Sequence, residues 1–245
     1  MNTPVIYTAN RSGPLVYAAK YLARLGCTVP DLPCPEVTHL LLGAPAFEPD
    51  GSLRGGGDLG EILDSLPRTV TVCGGNLGNI PESYKTIDLL QDPLYLAQNA
   101  NITAHCALRL AMDTLPVTLE RCPVLVIGWG RIGKCLSRLL KQVGASVTVA
   151  ARKETDRAAL LSLGYDTLDS TRLEYDLAPY RLICNTVPVP VIQSGDFRRE
   201  DCFLMDLASH KGIEGADVLW ARGLPGKYAP ESSGELIAQT LLRHR

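Results

Sequence analysis

The chain has 245 residues, 46% of them hydrophobic and 20% charged, and its formal net charge at pH 7 is −2. This length suffices for the cores of one large or two smaller domains. The small net charge gives no electrostatic basis for binding nucleic acid or an anionic membrane, and an aromatic content of 6% argues against a surface on which bases stack.

Two further features bear on the compartment and on metal binding. The N-terminal residues lack the basic-then-apolar pattern of a secretory signal, and no apolar run approaches the roughly 20 residues of a membrane span. The eight cysteines form no CxxC pair, and no histidine lies at zinc-finger spacing from two of them. We therefore expect a soluble cytoplasmic protein without a metal site, whose cysteines are small buried side chains.

Predicted strands and helices alternate weakly in the first part of the chain. Apolar patterns predict strands at 4–7, 38–42 and 69–73, and a helix at 15–25. Residues 51–60 read GSLRGGGDLG, which lacks the lysine and the strand–helix context of a P-loop. We interpret this segment as a flexible hairpin or lid.

The alternation is clearer in the second part. Strands are predicted at 124–127, 146–151, 182–185, 203–207 and 217–219, and helices at 134–143 and 156–163. Strands that alternate with helices imply a parallel sheet with right-handed crossovers. The predicted fold class is α/β, a Rossmann-type doubly wound parallel sheet with a second, smaller Rossmann-like N-terminal domain.

A long helix is predicted to join the two parts. Its apolar face covers 102–115, and Thr103 is a plausible N-cap. We expect an N-terminal α/β domain for substrate or partner over 1–98, which the C-terminal helix at 231–245 rejoins. Residues 99–230, including the linking helix, then form the Rossmann-type domain.

A glycine motif follows the strand at 124–127 and opens the next helix. It reads Gly128-Trp129-Gly130-Arg131-Ile132-Gly133, and this strand–turn–helix context is the dinucleotide-binding fingerprint. Gly128 permits the tight turn, Gly130 lets the backbone approach a pyrophosphate, and Gly133 allows close helix–strand packing. The helix N-terminus offers N–H groups and a partial positive charge to the phosphates.

The end of the second strand bears on the choice between NAD and NADP. An NAD site usually places Asp or Glu about 20 residues after the first glycine, to bind the ribose 2′-hydroxyl. Here the strand ends in alanine, and Arg152 and Lys153 follow. These cations can bind a 2′-phosphate, which favours NADP over NAD. The alternative is that both are solvated loop residues.

The ends of later strands are expected to line the nicotinamide and substrate pocket, because ligands of doubly wound sheets bind at the carboxyl ends of the strands. The residues predicted there are Asn185, Thr186, Val187 and Pro188, then Leu207, Ala208 and Ser209, and finally Pro225.

Several segments together resemble the family of the dipicolinate synthase A subunit. They are 127–133, 151–152, 184–188, 205–209, 223–230 and 233–237, with 99–103 resembling the entry into that family's linking helix. The resemblance runs from about Asn99 to the C-terminus, and the N-terminal domain is shorter than is usual in the family. Two other departures are His105, where the family tends to have glutamate, and residues 210–215 in place of a Pro-Gly-Gly pattern.

The resemblance implies oxidation of a dihydrodipicolinate-type ring to pyridine-2,6-dicarboxylate with NADP. It also implies that the partner is a flavoprotein-like B subunit and that the protein has a role in spore formation. We further expect a homo-oligomer.

Such a reaction needs a group that takes a ring proton and cations that bind two carboxylates. Histidine titrates near neutral pH, so His105 and His210 are the candidate bases. The candidate carboxylate binders are Lys211, Lys227, Arg109 and Arg11. Asp206 ends a predicted buried strand and is either a functional carboxylate or a turn-former.

Two other functions remain open. One is a 2-hydroxyacid dehydrogenase-like enzyme, although the separated Arg, Glu and His set of that family is not found. The other is a nucleotide-binding regulatory or scaffold protein without catalysis.

Overall fold

The computed structural model describes residues 3–10, 13–173, 177–193, 201–215 and 217–244. The chain divides into two compact units. The first unit comprises Met1–Asn99 and Pro225–Arg245, and the second comprises Ala100–Leu224.

Parallel strands and flanking helices make up both units. The strands are β1 (Ile6–Thr8), β2 (His39–Leu41), β3 (Thr71–Gly74), β4 (Lys85–Asp88), β5 (Pro123–Ile127), β6 (Ser146–Ala151), β7 (Asp166–Asp169), β8 (Leu182–Asn185), β9 (Phe203–Asp206) and β10 (Val218–Trp220). The helices are α1 (Pro14–Arg24), α2 (Leu59–Asp64), α3 (Pro93–Thr114), α4 (Arg131–Gln142), α5 (Glu154–Ser162), α6 (Leu224–Tyr228) and α7 (Pro230–Arg243).

The first unit contains a parallel sheet in the order β1-β2-β3-β4. Strand β4 was not predicted, because its sequence KTID is mostly polar and its first two residues are exposed. Helix α7 packs against α1, and a Cβ at Gly234 would collide with the backbone oxygen of Pro14. The C-terminal helix thus forms part of the core of this unit.

The glycine-rich segment 51–60 is only partly a loop. Phe47 and Leu53 form an antiparallel bridge, which closes a hairpin. The last residues of the segment begin α2, where Asp58 accepts a hydrogen bond from the Glu61 N–H at 2.9 Å. The prediction of a loop throughout is therefore wrong at its end, where a capped six-residue helix was too short for its periodicity to be recognised.

The long helix begins at Pro93, not near residue 102 as predicted. Asp92 is the true N-cap, since its Oδ1 accepts hydrogen bonds from Leu94 N at 2.7 Å and Tyr95 N at 2.9 Å. Thr103 is buried within the helix, so its prediction as a cap is wrong. An aspartate followed by proline is a strong helix-start signal, and it outweighs the later threonine.

The other oxygen of Asp92 binds the end of α7. Arg243 Nη2 lies 2.7 Å and His244 Nε2 lies 2.6 Å from Asp92 Oδ2. Burial by itself would raise the pKa of Asp92, but the hydrogen bonds from His244, Tyr95, Arg243 and Leu94 hold this pKa well below its ordinary value. One nearly buried carboxylate therefore caps α3 and anchors the last turn of α7.

Asp92→Ala is expected to lower the free energy of unfolding by about 2 kcal/mol at neutral pH, about half from the lost cap and the rest from the partly exposed ion pair. Because the folded pKa lies below the unfolded value of about 3.9, this contribution is complete above about pH 4 and is lost as the pH falls through the folded pKa. Urea unfolding of both proteins at about pH 7 and pH 3 measures it. Asp113→Ala, which removes an exposed pair with Arg109, is the control. An Asp92→Ala effect of the same size at both pH values would contradict this account.

The second unit contains a parallel sheet in the order β10-β9-β8-β5-β6-β7. In this doubly wound order the chain starts at β5, builds outward to β7, and then crosses back to β8. The order reverses between β5 and β8, and ligands of such sheets bind outside the carboxyl ends of the strands at this point. Strand β7 was not predicted, because DTLD is a short edge strand with an aspartate at each end.

The predicted fold class is confirmed by these two parallel-sheet units. No disulfide joins the cysteines, which are buried or half-buried in the described structure. Within the described ranges, no helix has both the length and the apolar character needed to traverse a bilayer.

Candidate dinucleotide-binding site

The turn from β5 to α4 depends on three glycines. Gly128 has φ +107°, and a Cβ there would lie 2.5 Å from Thr186 Oγ1. A Cβ at Gly133 would collide with the backbone oxygen of Gly128. At Gly130, by contrast, φ is −83° and nothing lies within 4 Å of the Cβ position. Gly128 and Gly133 are therefore required by packing, whereas Gly130 borders open space.

Helix α4 begins directly after this open position. Gly130 is its N-cap and supplies no side-chain hydrogen bond, and the first turn contains no acidic residue. Arg131 is exposed and Ile132 is half-buried in that turn. The helix therefore presents uncapped N–H groups and the positive end of its dipole, which is the arrangement that binds phosphate.

A crevice of about 730 Å³ opens beside the glycine turn, within the second unit. Its size is typical of a small-molecule site. Seven predicted cofactor-binding residues line it, namely Gly128, Trp129, Gly130, Arg152, Lys153, Val187 and Pro188. The other lining residues were not predicted; they are Ala151, Asp156, Ser170, Thr171, Leu173, Val189, Pro190, Val191 and Gln193.

Arg152 and Lys153 are exposed where β6 ends, and the backbone beneath them is fixed by Arg157. Arg157 Nη1 donates hydrogen bonds to the carbonyl oxygens of Ala151 at 2.8 Å and Arg152 at 2.9 Å. It also lies 3.3 Å from Asp169 Oδ2. Sequence reasoning missed Arg157, although a cation in the helix that follows a cofactor-binding strand end was a usable signal.

Asp169 ends β7 beside this loop and remains ionised. Hydrogen bonds from the backbone and the hydroxyl of Thr171, together with the nearby Arg157, hold the pKa of Asp169 below its ordinary value. Its carboxylate is thus engaged in local contacts. Asp169 does not line the crevice; the lining residue that carries a carboxylate is Asp156, on α5.

Trp129 is held at the rim of the crevice. Its ring lies 5.9 Å from that of Tyr165 in an edge-on arrangement, and Lys134 Nζ lies 5.7 Å from its centroid. The half-buried indole can therefore report by fluorescence on a ligand that enters the crevice.

The end of β8 is shaped by Asn185 and Thr186. Asn185 is fully buried, and its amide exchanges hydrogen bonds with both backbone groups of Val187, at 2.9 and 3.0 Å. Thr186 Oγ1 donates to the Ile127 carbonyl oxygen at 2.8 Å. Neither side chain lines the crevice, and both instead hold the turn that carries Val187 and Pro188 into its wall.

The residues after β9 do not line the same crevice. Leu207 and Ala208 are buried, whereas Ser209, His210 and Lys211 are exposed. Ser209 Oγ lies 3.3 Å from His210 Nδ1, and Lys211 Nζ donates to the Gly215 carbonyl oxygen at 3.2 Å.

The remaining candidates are dispersed. His105 is exposed on α3, and Arg109 pairs with Asp113 at 3.6 Å on the same helix. Pro225 is half-buried in α6 and belongs to the first compact unit, as does the exposed Lys227. Arg11 lies outside the described residues.

A doubly wound parallel sheet, a glycine turn and an uncapped helix N-terminus define a dinucleotide-binding fold of the kind that dehydrogenases use. No family model matches the chain. A curated relative, the A subunit of dipicolinate synthase from Bacillus subtilis (strain 168), is 24% identical over 237 residues, which cover 88% of this chain and 80% of the relative. The resemblance to the A subunit of dipicolinate synthase is thereby confirmed.

Solved structures show the same fold. The crystal structure of the A subunit of dipicolinate synthase from Bacillus halodurans has a TM-score of 0.84 at 20% identity and covers 99% of this chain and 97% of that one. A transhydrogenase from Sinorhizobium meliloti has a TM-score of 0.74 at 13% identity, over 98% of this chain and 92% of that one. The similarity therefore extends into the N-terminal unit, beyond the segments on which the sequence resemblance was based.

Proposed function

We propose that the chain is an NADP-dependent oxidoreductase that transfers hydride between a dihydrodipicolinate-like cyclic dicarboxylate and NADP. The observation that carries this proposal is the crevice beside the glycine turn, in which an uncapped helix N-terminus and two exposed cations lie at the ends of adjacent strands. The residues fit a phosphorylated dinucleotide, because Gly130 leaves open the space that a pyrophosphate needs.

The preference for NADP rests on the end of β6. The strand ends in alanine, so no carboxylate from the strand end is available for a ribose 2′-hydroxyl, and Arg152 and Lys153 line the crevice next to it. Arg157 fixes the carbonyl oxygens of Ala151 and Arg152, which holds the backbone that carries the Arg152 guanidinium. A guanidinium at this position is well suited to a 2′-phosphate, which it can bind through two parallel hydrogen bonds.

The proposed chemistry needs little from the chain beyond binding and one proton transfer. Bound NADP supplies the hydride acceptor, and the substrate ring also loses a proton as it becomes aromatic. We assign the proton to His210, since its loop follows β9 and its exposed imidazole can take up a proton near neutral pH. His105 is the alternative base, and Lys211, Lys227, Arg109 and Arg11 are the proposed carboxylate ligands.

The substrate and the partner follow from the relative rather than from the crevice. The curated relative is named as the A subunit of dipicolinate synthase. From this name we propose pyridine-2,6-dicarboxylate as the product and a B subunit as the partner. From the family resemblance we propose that this B subunit is flavoprotein-like and that the protein has a role in spore formation. We also propose a homo-oligomeric assembly.

Turnover tests this proposal. The chain, mixed with NADP and dihydrodipicolinate with and without a B subunit, is expected to form reduced cofactor and dipicolinate in equal amounts. His210→Gln is expected to lower kcat by about 10²–10⁴-fold, the contribution of a general base, while cofactor affinity is retained. Cofactor binding without any turnover in the presence of B would instead favour a nucleotide-binding scaffold.

A 2-hydroxyacid dehydrogenase activity is the competing enzymatic function. The same assay with 2-hydroxy acids in place of dihydrodipicolinate separates the two. Reduction of NADP by a 2-hydroxy acid, with none by the cyclic dicarboxylate, would overturn the proposed substrate.

A further inference from the structure

Asp206 is a buried carboxylate at the end of β9 whose acceptor positions are filled. It is fully buried, and its Oδ1 accepts hydrogen bonds from Asn185 Nδ2 and Ala208 N, both at 3.0 Å. Its Oδ2 accepts from Gly212 N at 2.6 Å and Ile213 N at 3.0 Å. In the described part of the chain no cation pairs with it, so its buried oxygens are satisfied by N–H donors.

These hydrogen bonds close the loop that follows β9. The N–H groups of Ala208, Gly212 and Ile213 all point to one carboxylate, so residues 207–211 form an arch whose base is Asp206. Ser209, His210 and Lys211 are the exposed apex of this arch. Three backbone N–H groups of this loop therefore converge on one side chain.

The outer side of the arch is braced by the end of the sheet. Trp220 Nε1 donates to the Ala208 carbonyl oxygen at 3.1 Å, and Arg222 Nη1 donates to the Ser209 carbonyl oxygen. The Arg222 guanidinium also stacks over the Trp220 ring, 5.1 Å from its centroid.

The arch is joined to the wall of the crevice. Val191 N donates to the Gly212 carbonyl oxygen at 2.8 Å, and Ile192 and Ile213 form a parallel bridge. Gly212 lies so close to the β8 turn that a Cβ would be 2.5 Å from Asn185 Nδ2 and would collide with the Val189 carbonyl oxygen. The arch therefore fixes the segment 187–191, which lines the crevice.

We propose that Asp206 is a positioning residue that fixes the loops after β8 and β9 and thereby holds the nicotinamide half of the dinucleotide. The inference rests on the proposed function. A doubly wound sheet consists of two mononucleotide-binding halves, and β8, β9 and β10 form the half opposite the one that carries Arg152. Asp206 is not a general base, because its oxygens already accept four N–H bonds.

Asp206→Asn tests the inference with little change in shape. The new amide would turn its N–H groups toward the Gly212 and Ile213 N–H groups, so the arch would be released while the contacts at Oδ1 remain. NADPH affinity is expected to fall about tenfold or more, since small misplacements of binding groups are costly. Affinity for 2′,5′-ADP, which lacks the nicotinamide half, is expected to change by less than about twofold. Asp201→Asn is the control, because Asp201 lies two residues before the start of β9 and pairs there with Arg181.

Amide hydrogen exchange in the unaltered protein provides a second test that needs no variant. The Gly212 and Ile213 amides are expected to exchange far more slowly than the amides of Ser209 and Lys211, and NADPH is expected to slow them further. Equal NADPH loss and 2′,5′-ADP loss in Asp206→Asn, or rapid exchange at Gly212 and Ile213, would overturn the positioning role. Failure of the unaltered protein to bind either nucleotide would instead overturn the proposed function.

Discussion

Gly130→Ala is expected to lower dinucleotide affinity by about a hundredfold or more, because a methyl group would occupy the space that the pyrophosphate needs. The fold is expected to tolerate the change, since φ at Gly130 is −83° and nothing surrounds its Cβ position. A compatible glycine-to-alanine change even stabilises a protein by about 0.4–1 kcal/mol. Calorimetric titration with NADPH, paired with urea unfolding, measures both effects.

Gly128→Ala is the matched control within the same turn. Its φ of +107° and its close approach to Thr186 Oγ1 predict a loss of about 2–5 kcal/mol in unfolding free energy, from strain and overpacking together. Gly130→Ala therefore tests dinucleotide affinity, whereas Gly128→Ala tests the stability of the fold. Normal NADPH binding by the Gly130→Ala protein would contradict the presence of a pyrophosphate at this position.

Arg152→Ala is expected to weaken NADPH binding by about 1–3 kcal/mol, the size of lost charge-assisted hydrogen bonds, and to leave NADH binding unchanged. The reason is that only NADPH carries the 2′-phosphate. Quenching of Trp129 fluorescence measures both affinities, since this indole lines the crevice.

Arg138→Ala supplies the control for this prediction. Arg138 is an exposed cation on α4 whose guanidinium bonds Gln142, and the two cofactors should bind this variant as they bind the unaltered protein. If Arg152→Ala loses NADPH and NADH affinity equally, then Arg152 does not recognise the 2′-phosphate.

The second unit was predictable because its sequence patterns agree with its fold. Apolar runs and glycine stops marked β5, β6 and β8 within one residue of their observed bounds. Elements with weaker apolar patterns were missed, such as the polar strands β4 and β7 and the six-residue helix α2. The formation of these elements depends on pairing with a neighbouring strand or on a helix cap, and their sequences are too short or too polar for an apolar periodicity to be recognised.

The candidate site was predictable only where a residue's position next to a strand end fixes its role. The glycine motif predicts the turn, and the two residues that follow β6 are both cations. The hydrogen bond between Asn185 and Asp206, at 3.0 Å, was not predicted, because both lie at the ends of predicted strands, where ligand-binding residues also occur. A sequence orders residues along each strand, but it does not say which neighbouring loop a buried polar side chain will bind.

Isothermal titration of the unaltered protein with NADPH and, separately, NADH is the most direct measurement of the dinucleotide site. NADPH is expected to saturate one site per chain, and NADH is expected to bind more weakly by about 1–3 kcal/mol. No heat of binding with either dinucleotide at high concentration, or tighter binding of NADH than of NADPH, would contradict it.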